Sequence, residues 1–292
     1  MASADGAERA LRHKAGKTKR KAEAGTGWYA GVARAGLVAK GVSYALVGVL
    51  AVAVAVGHGG KATSRSGALA SVADEPWGKV ALTLLALGFA AHALWRFVQA
   101  VAEREDHGGK AERLAKKWGR RGSCLGSGFI YAGLTFLTIR LLAGSNAQES
   151  QNEKARQTTA TVFDWPAGRW IVALAGLAIL GFGLGNAYAG LTKKFEDDWR
   201  GGMSSAERTW GSRAGVVGHI ARGLVFCLIG IFMITAAYDY NPQDAIGFDG
   251  ALQKLARASY GPWLLGVTAA GLVAYGLFCL VDARYRDVSA GG

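Results

Sequence analysis

The chain has 292 residues, of which 51% are hydrophobic, with 43 glycines, only 4 prolines and a formal net charge of +13. That length would accommodate one or two soluble domains, but the apolar residues gather in blocks of about twenty, which an α-helix needs to cross roughly 30 Å of hydrocarbon. The polar stretches between blocks are too short to fold as independent domains.

Residues 1–27 are polar and basic, carrying Arg9, Arg12, Lys14, Lys17, Lys19, Arg20 and Lys21, and are expected to form a disordered cytoplasmic tail. The first apolar block, Leu37–Val56, is longer than the usual core of about 7–15 residues in a cleaved signal, so it reads as a retained anchor. Gly67–Gly78 follows with apolar residues at Leu69, Val72 and Ala73 and ends at the aromatic Trp77. That pattern predicts a short helix lying on the outer membrane surface. Val80–Val101 and Cys124–Ala143 are the next spans, joined by a basic loop. Loop 145–165 is polar and expected to be mobile, Trp170–Leu191 and Val216–Ala237 are spans four and five, and Gly250–Gly261 repeats the surface-helix pattern before Trp263–Val281. The expected fold class is all-α, a polytopic membrane protein with six transmembrane helices. The glycine excess fits, because helices in lipid approach closely only where side chains are small.

Charge gives an orientation. If the N-terminus is cytoplasmic, only Lys61, Arg65, Lys79, Arg140, Lys154, Arg156, Arg169, Lys254 and Arg257 of the 34 Lys and Arg fall on the other side. Lys and Arg collect on cytoplasmic loops, so both termini are expected in the cytoplasm, in the inner membrane. The basic excess is thereby assigned to topology and to anionic lipid headgroups. A nucleic-acid partner is not expected, since the basic run has no interleaved aromatics or recognisable binding fold.

Internal similarity carries more information. Gly36–Gly48 aligns without a gap on Gly218–Gly230, superposing Gly, Ala, a cation, Gly, an aromatic and Gly. In a looser middle copy Arg121, Gly128 and Tyr131 match Arg34, Gly41 and Tyr44. Leu87–Ala100 aligns on Ala270–Ala283, placing His92 over Tyr275 and Trp95 over Phe278. In copy two the corresponding register is open by about three residues, with Gly185 or a neighbour expected where Tyr275 stands. The repeats are bounded at 28–105, 116–196 and 208–287, each an outward and an inward helix. Two spans per unit make the copies parallel, and three parallel copies imply an approximately threefold bundle. Gly41, Gly128 and Gly223, with Tyr44, Tyr131 and Phe226, are the expected repeat-packing residues.

The Arg-x6-Gly-x-x-Tyr start, the Ala-Lys/Arg-Gly step and the Gly-Leu-x-x-Tyr-Gly finish resemble the domain of unknown function 1206 family, three-repeat membrane proteins found mainly in actinobacteria. The resemblance covers about residues 28–287. It implies fold and membrane location, and brings no activity, cofactor or catalytic residue with it.

Candidate site residues are few. Arg34, Lys40, Arg121 and Arg222 stand at the starts of outward helices, where long cations snorkel to headgroups or, in the sharper reading, bind an anion or a lipid headgroup. His92 and Asn186 are the deepest polar residues, with interhelical hydrogen bonding as the first expectation and a proton relay through His92 as the second. No second histidine or carboxylate is expected at that depth. Arg140 is expected to pair with Asp164 or Glu149. Tyr44, Tyr131, Trp95, Tyr188 and Phe278 are read as packing and interface anchors, and Gly181-x-x-x-Gly185 as a helix-packing motif. Cys124, Cys227 and Cys279 sit in spans at no metal-ligand spacing. No paired-histidine motif or nucleophile elbow is present, so neither an enzyme nor a cofactor is expected. The expected role is that of a non-enzymatic scaffold, accessory or lipid-binding protein, its partners being anionic lipids or another membrane protein. The alternative is a transporter of a small solute or anion along the pseudo-threefold axis.

Overall fold

The computed structural model describes residues 30–57, 65–73, 75–101, 110–144, 151–199 and 202–286; the basic tail lies outside them. Nine α-helices form among these residues: α1 (Ala30–Ala55), α2 (Arg65–Ala73), α3 (Gly78–Val101), α4 (Lys110–Leu142), α5 (Gln151–Phe163), α6 (Gly168–Thr192), α7 (Ser205–Asp239), α8 (Phe248–Ala256) and α9 (Gly261–Tyr285). Six of them, α1, α3, α4, α6, α7 and α9, are long and apolar enough to cross a membrane. The protein is a multi-pass membrane protein.

The start of α7 is specified locally. Ser204 Oγ accepts from the Glu207 backbone N–H at 3.2 Å, and Glu207 Oε2 accepts from the Ser204 N–H at 2.9 Å. This reciprocal cap satisfies two of the donors that a helix start leaves open.

Each repeat holds three helices rather than two, because α2, α5 and α8 each precede an inward span. The turn between them closes on Gly78, Gly168 or Gly261, where an added Cβ would lie 2.0, 1.9 or 1.9 Å from a carbonyl oxygen of the short helix. Only glycine lets the chain reverse so tightly. Two expectations are corrected here. The 145–165 segment contains α5, tied at its start by Asn152 Oδ1 accepting from the Gly247 N–H at 3.2 Å. The segments read as surface helices are packed into the end of the bundle instead, with Leu69, Val72, Phe248, Leu252 and Leu255 buried.

Within copies one and three the two spans touch through glycine. A Cβ on Gly36 would lie 2.6 Å from His92 Cα, and one on the equivalent Gly218 would lie 2.5 Å from Tyr275 Cα. Neighbouring copies meet through Gly41, Gly223 and Gly128, where a Cβ would lie 2.8 Å from Gly276 O, Gly183 O and Phe97 Cε1 respectively. The outward helix of each copy thus packs on the inward helix of another, through backbone at Gly41 and Gly223 and through the Phe97 ring at Gly128. On α6 the packing glycines are Gly176, Gly183 and Gly190, all against α7. Gly181 and Gly185, expected to pack, face open space because they lie on the other side of the same helix.

The ring of helices is not closed. Read around the bundle, the order is α4–α3–α1–α9–α7–α6, and among the described residues α4 and α6 share no extended interface. Copy two therefore lacks the contact that its sister copies make between their own two spans.

Candidate functional site

The three inter-copy interfaces each bring together one pair of rings. Tyr44 of α1 meets Tyr275 of α9 with centroids 4.8 Å apart, Tyr131 of α4 meets His92 of α3 at 4.2 Å, and Phe226 of α7 meets Phe182 of α6 at 4.9 Å. This fixes the register of copy two: Phe182 occupies the place of His92 and Tyr275, and Gly185 the place of Trp95 and Phe278. Neighbouring positions agree, for Leu94, Leu184 and Leu277 are 48%, 58% and 53% exposed. The connection before α6 is longer than in either sister copy, so sequence comparison alone slipped.

One turn from the rings on each helix lies a polar layer. The outward helices place Lys40, Ser127 and Arg222 there, and the inward helices place Arg96, Asn186 and Cys279. Arg222 reaches across the bundle. Its Nη1 donates to Asn186 Oδ1 at 3.0 Å and to the Tyr275 hydroxyl at 2.7 Å, and its guanidinium stands 5.0–5.5 Å from the rings of Tyr44, Phe182, Phe226 and Tyr275. Lys40, only 8% exposed, holds its Nζ 5.2 Å from the Tyr275 ring. Arg96 donates to Gln99 Oε1 at 3.0 Å and lies 4.8 Å from the Trp95 ring.

Aromatic faces attract these cations, but Lys40 also lies within electrostatic range of both Arg222 and Arg96. Among the described residues no carboxylate forms an ion pair with any of them. The nearest acidic group, Asp282, is bound elsewhere: it accepts from Arg286 at 2.8 Å and from Trp199 Nε1 at 3.2 Å. Arg286 also pairs with Asp198. Burial alone would lower the Arg286 pKa, but the two carboxylates outweigh it and raise the value above the ordinary guanidinium range. The acidic charge at this end is therefore used to tie the α6–α7 connection to the end of α9.

Of the four cationic candidates, two meet and two do not. Lys40 and Arg222 turn inward to the rings instead of snorkelling outward. Arg34 is exposed, and both Arg34 and Arg121 lie about two turns nearer the helix starts. The third cation, Arg96, was missed as a site residue; its signal is its place four residues after His92 inside an apolar block. Asn186 is buried against Arg222, and His92 is fully buried between Tyr131 and Trp95. A second histidine does stand at the depth of His92: Gly36 touches His92, and His219 directly follows the equivalent Gly218. It bonds to Gly215 O at 2.8 Å and stacks on Phe195, with no contact to His92. Arg140 is exposed and makes no ion pair with Asp164; Glu149 lies outside the described residues. Tyr44, Tyr131, Trp95 and Phe278 are buried, whereas Tyr188 is exposed.

A family model described as Domain of Unknown Function (DUF1206) matches three times, at residues 35–103, 123–193 and 217–286. The chain belongs to the DUF1206 family. The ends of the three matches, 103, 193 and 286, keep the register read from the ring pairs. A relative, "Uncharacterized protein YxxB" of Bacillus subtilis (strain 168), is 28% identical over 264 residues, covering 90% of this chain and 93% of the relative. No solved structure matches the chain.

Proposed function

We propose that this DUF1206 protein is a non-enzymatic membrane protein that holds an anion at the centre formed by Lys40, Arg96 and Arg222. The observation that carries the proposal is that Lys40 and Arg222 meet over the Tyr275 ring, with Arg96 in electrostatic range of Lys40, and that among the described residues none of the three pairs with a carboxylate. Guanidiniums stay charged at any physiological pH, and charge within a membrane span is costly enough that it marks function by default. A bound oxyanion would relieve the mutual repulsion and accept the N–H donors that point inward. Arg suits such an anion because its planar fork binds two oxygens at once. In the proposed orientation both termini are cytoplasmic, the protein sits in the inner membrane and the centre opens toward the cytoplasmic half. A scaffolding role toward another membrane protein would use the outer faces and leave the centre unexplained.

The test is thermal unfolding of the purified full-length protein in mild detergent, titrated with inorganic phosphate against chloride at matched ionic strength. Phosphate is expected to raise the midpoint of the wild type, and Arg222→Met and Arg96→Gln are expected to abolish the rise. A wild-type midpoint indifferent to phosphate would sink the proposal. Transport of the anion is the second reading, favoured because the centre is bordered by ring pairs from all three inter-copy interfaces. Phosphate efflux from proteoliposomes that is lost in Arg222→Met would establish it.

A further inference from the structure

The rings equivalent by repeat are not equally covered. His92 is 0% exposed and Tyr275 1%, because the outward helix of their own copy closes over them through Gly36 and Gly218. Phe182, in the same position of copy two, is 42% exposed. Two substitutions in the sequence account for the difference. Ser123 stands where Gly36 and Gly218 stand, and its Cβ forbids the closure seen in the other copies. Gly185 stands where Trp95 and Phe278 fill the space against their own outward helix, so that no ring occupies it. The result is a lateral gap between α4 and α6, with Phe182 in its wall. Arg222 lies directly behind Phe182 and is only half-buried although it lies within a span. The two walls are also held by different neighbours, α4 by α3 and α6 by α7.

The mouth of the gap is basic at the end of the bundle where the cations lie. α4 carries Arg121 there, and α6 is followed by Lys193 and Lys194. Beyond that end the exposed side chains of the two walls are apolar, Ile130 on α4 and Phe182 on α6 among them. A site that is cationic inside, basic at its mouth and open sideways to hydrocarbon fits an amphiphile better than a free ion, because a chain in the gap stays among apolar surfaces while its headgroup meets the guanidiniums.

Resting on the anion-binding reading above, we infer that the ligand is an anionic phospholipid that enters sideways between α4 and α6. Its phosphate is held by Arg222, Lys40 and Arg96, and its acyl chain lies in the space that Gly185 leaves open. Headgroup and chain are thus recognised by different residues, and the two can be separated by mutation.

Gly185→Trp restores the ring found at Trp95 and Phe278 and fills the gap without altering a cation. Leu184→Trp, next to it on the lipid-facing side, is the control. The full-length protein would be reconstituted in vesicles of one part phosphatidylglycerol to three parts phosphatidylcholine, extracted in mild detergent, and its retained lipid measured by native mass spectrometry. The same variants would be titrated with inorganic phosphate, with unfolding midpoints confirming that each is folded. The wild type and Leu184→Trp are expected to retain phosphatidylglycerol in preference to phosphatidylcholine. Gly185→Trp is expected to lose at least tenfold of that retention while still responding to phosphate, and Arg222→Met to lose both. If phosphate binds but Gly185→Trp retains the anionic lipid like the wild type, or the wild type shows no preference for it, lateral lipid access is overturned and the anion reading stands. If neither ligand depends on Arg222, both fail.

Discussion

Single atoms decide the packing at Gly36 and Gly218. A methyl group at Gly218 would meet Tyr275 backbone 2.5 Å away, so nothing flexible can give. Overpacking of that kind costs about 1–3 kcal/mol, and Gly218→Ala is expected to lower the unfolding midpoint in detergent, whereas Gly126→Ala, with open space around it, is not. The same scale shows what a linear reading sees. The residues Gly41, Gly128 and Gly223 were legible because they recur in three places. Arg96 was not, because its partners by repeat are Asn186 and Cys279, and a site assembled from unlike residues has no repeat signal. Lys40 and Arg222 were visible as cations, but their inward direction depends on rings contributed by α9, α6 and α7.

At the scale of the element, α6 illustrates how a glycine pattern is read through helix geometry. Residues seven apart return to one face of a helix, and Gly176, Gly183 and Gly190 make that stripe against α7. Gly181 and Gly185 satisfy the commoner four-residue spacing, yet they point elsewhere. Gly183→Leu is expected to disrupt the α6–α7 pair and broaden or lower the unfolding transition, while Gly181→Leu leaves it unchanged; size-exclusion profiles and midpoints of the two variants decide it. On the other face of the bundle α5 is a polar helix that sequence reading took for a loop, since its apolar contacts are confined to a few residues such as Phe163 and Thr159. Its start is held by the side chain of Asn152, and Asn152→Ala removes the acceptor for Gly247. That substitution is expected to cost about 1 kcal/mol and to speed amide exchange at Gly247.

For the whole molecule, six spans put both termini on one side, and cysteine labelling tests the proposed placement of that side in the cytoplasm. Cysteines introduced at Ser205 and Asp239, in a chain lacking Cys124, Cys227 and Cys279, are expected to react with an impermeant reagent only after lysis for Ser205→Cys and in intact cells for Asp239→Cys. The reverse pattern would invert the topology. Span number and repeat were readable because apolar length and periodicity are one-dimensional properties. The break between α4 and α6 was not, being defined by a contact that fails to form where Ser123 replaces a glycine.

That missing contact also redraws the boundaries of the molecule. Copy two is a unit in the sequence but not in space, since its first span belongs with α1 and α3 and its second with α7 and α9. The natural seam therefore runs through the middle of a repeat, dividing the chain into two three-span halves whose shared wall is α1 against α9. The opening between α4 and α6 therefore lies opposite the seam of the molecule where Gly41 and Gly276 bring two backbones together.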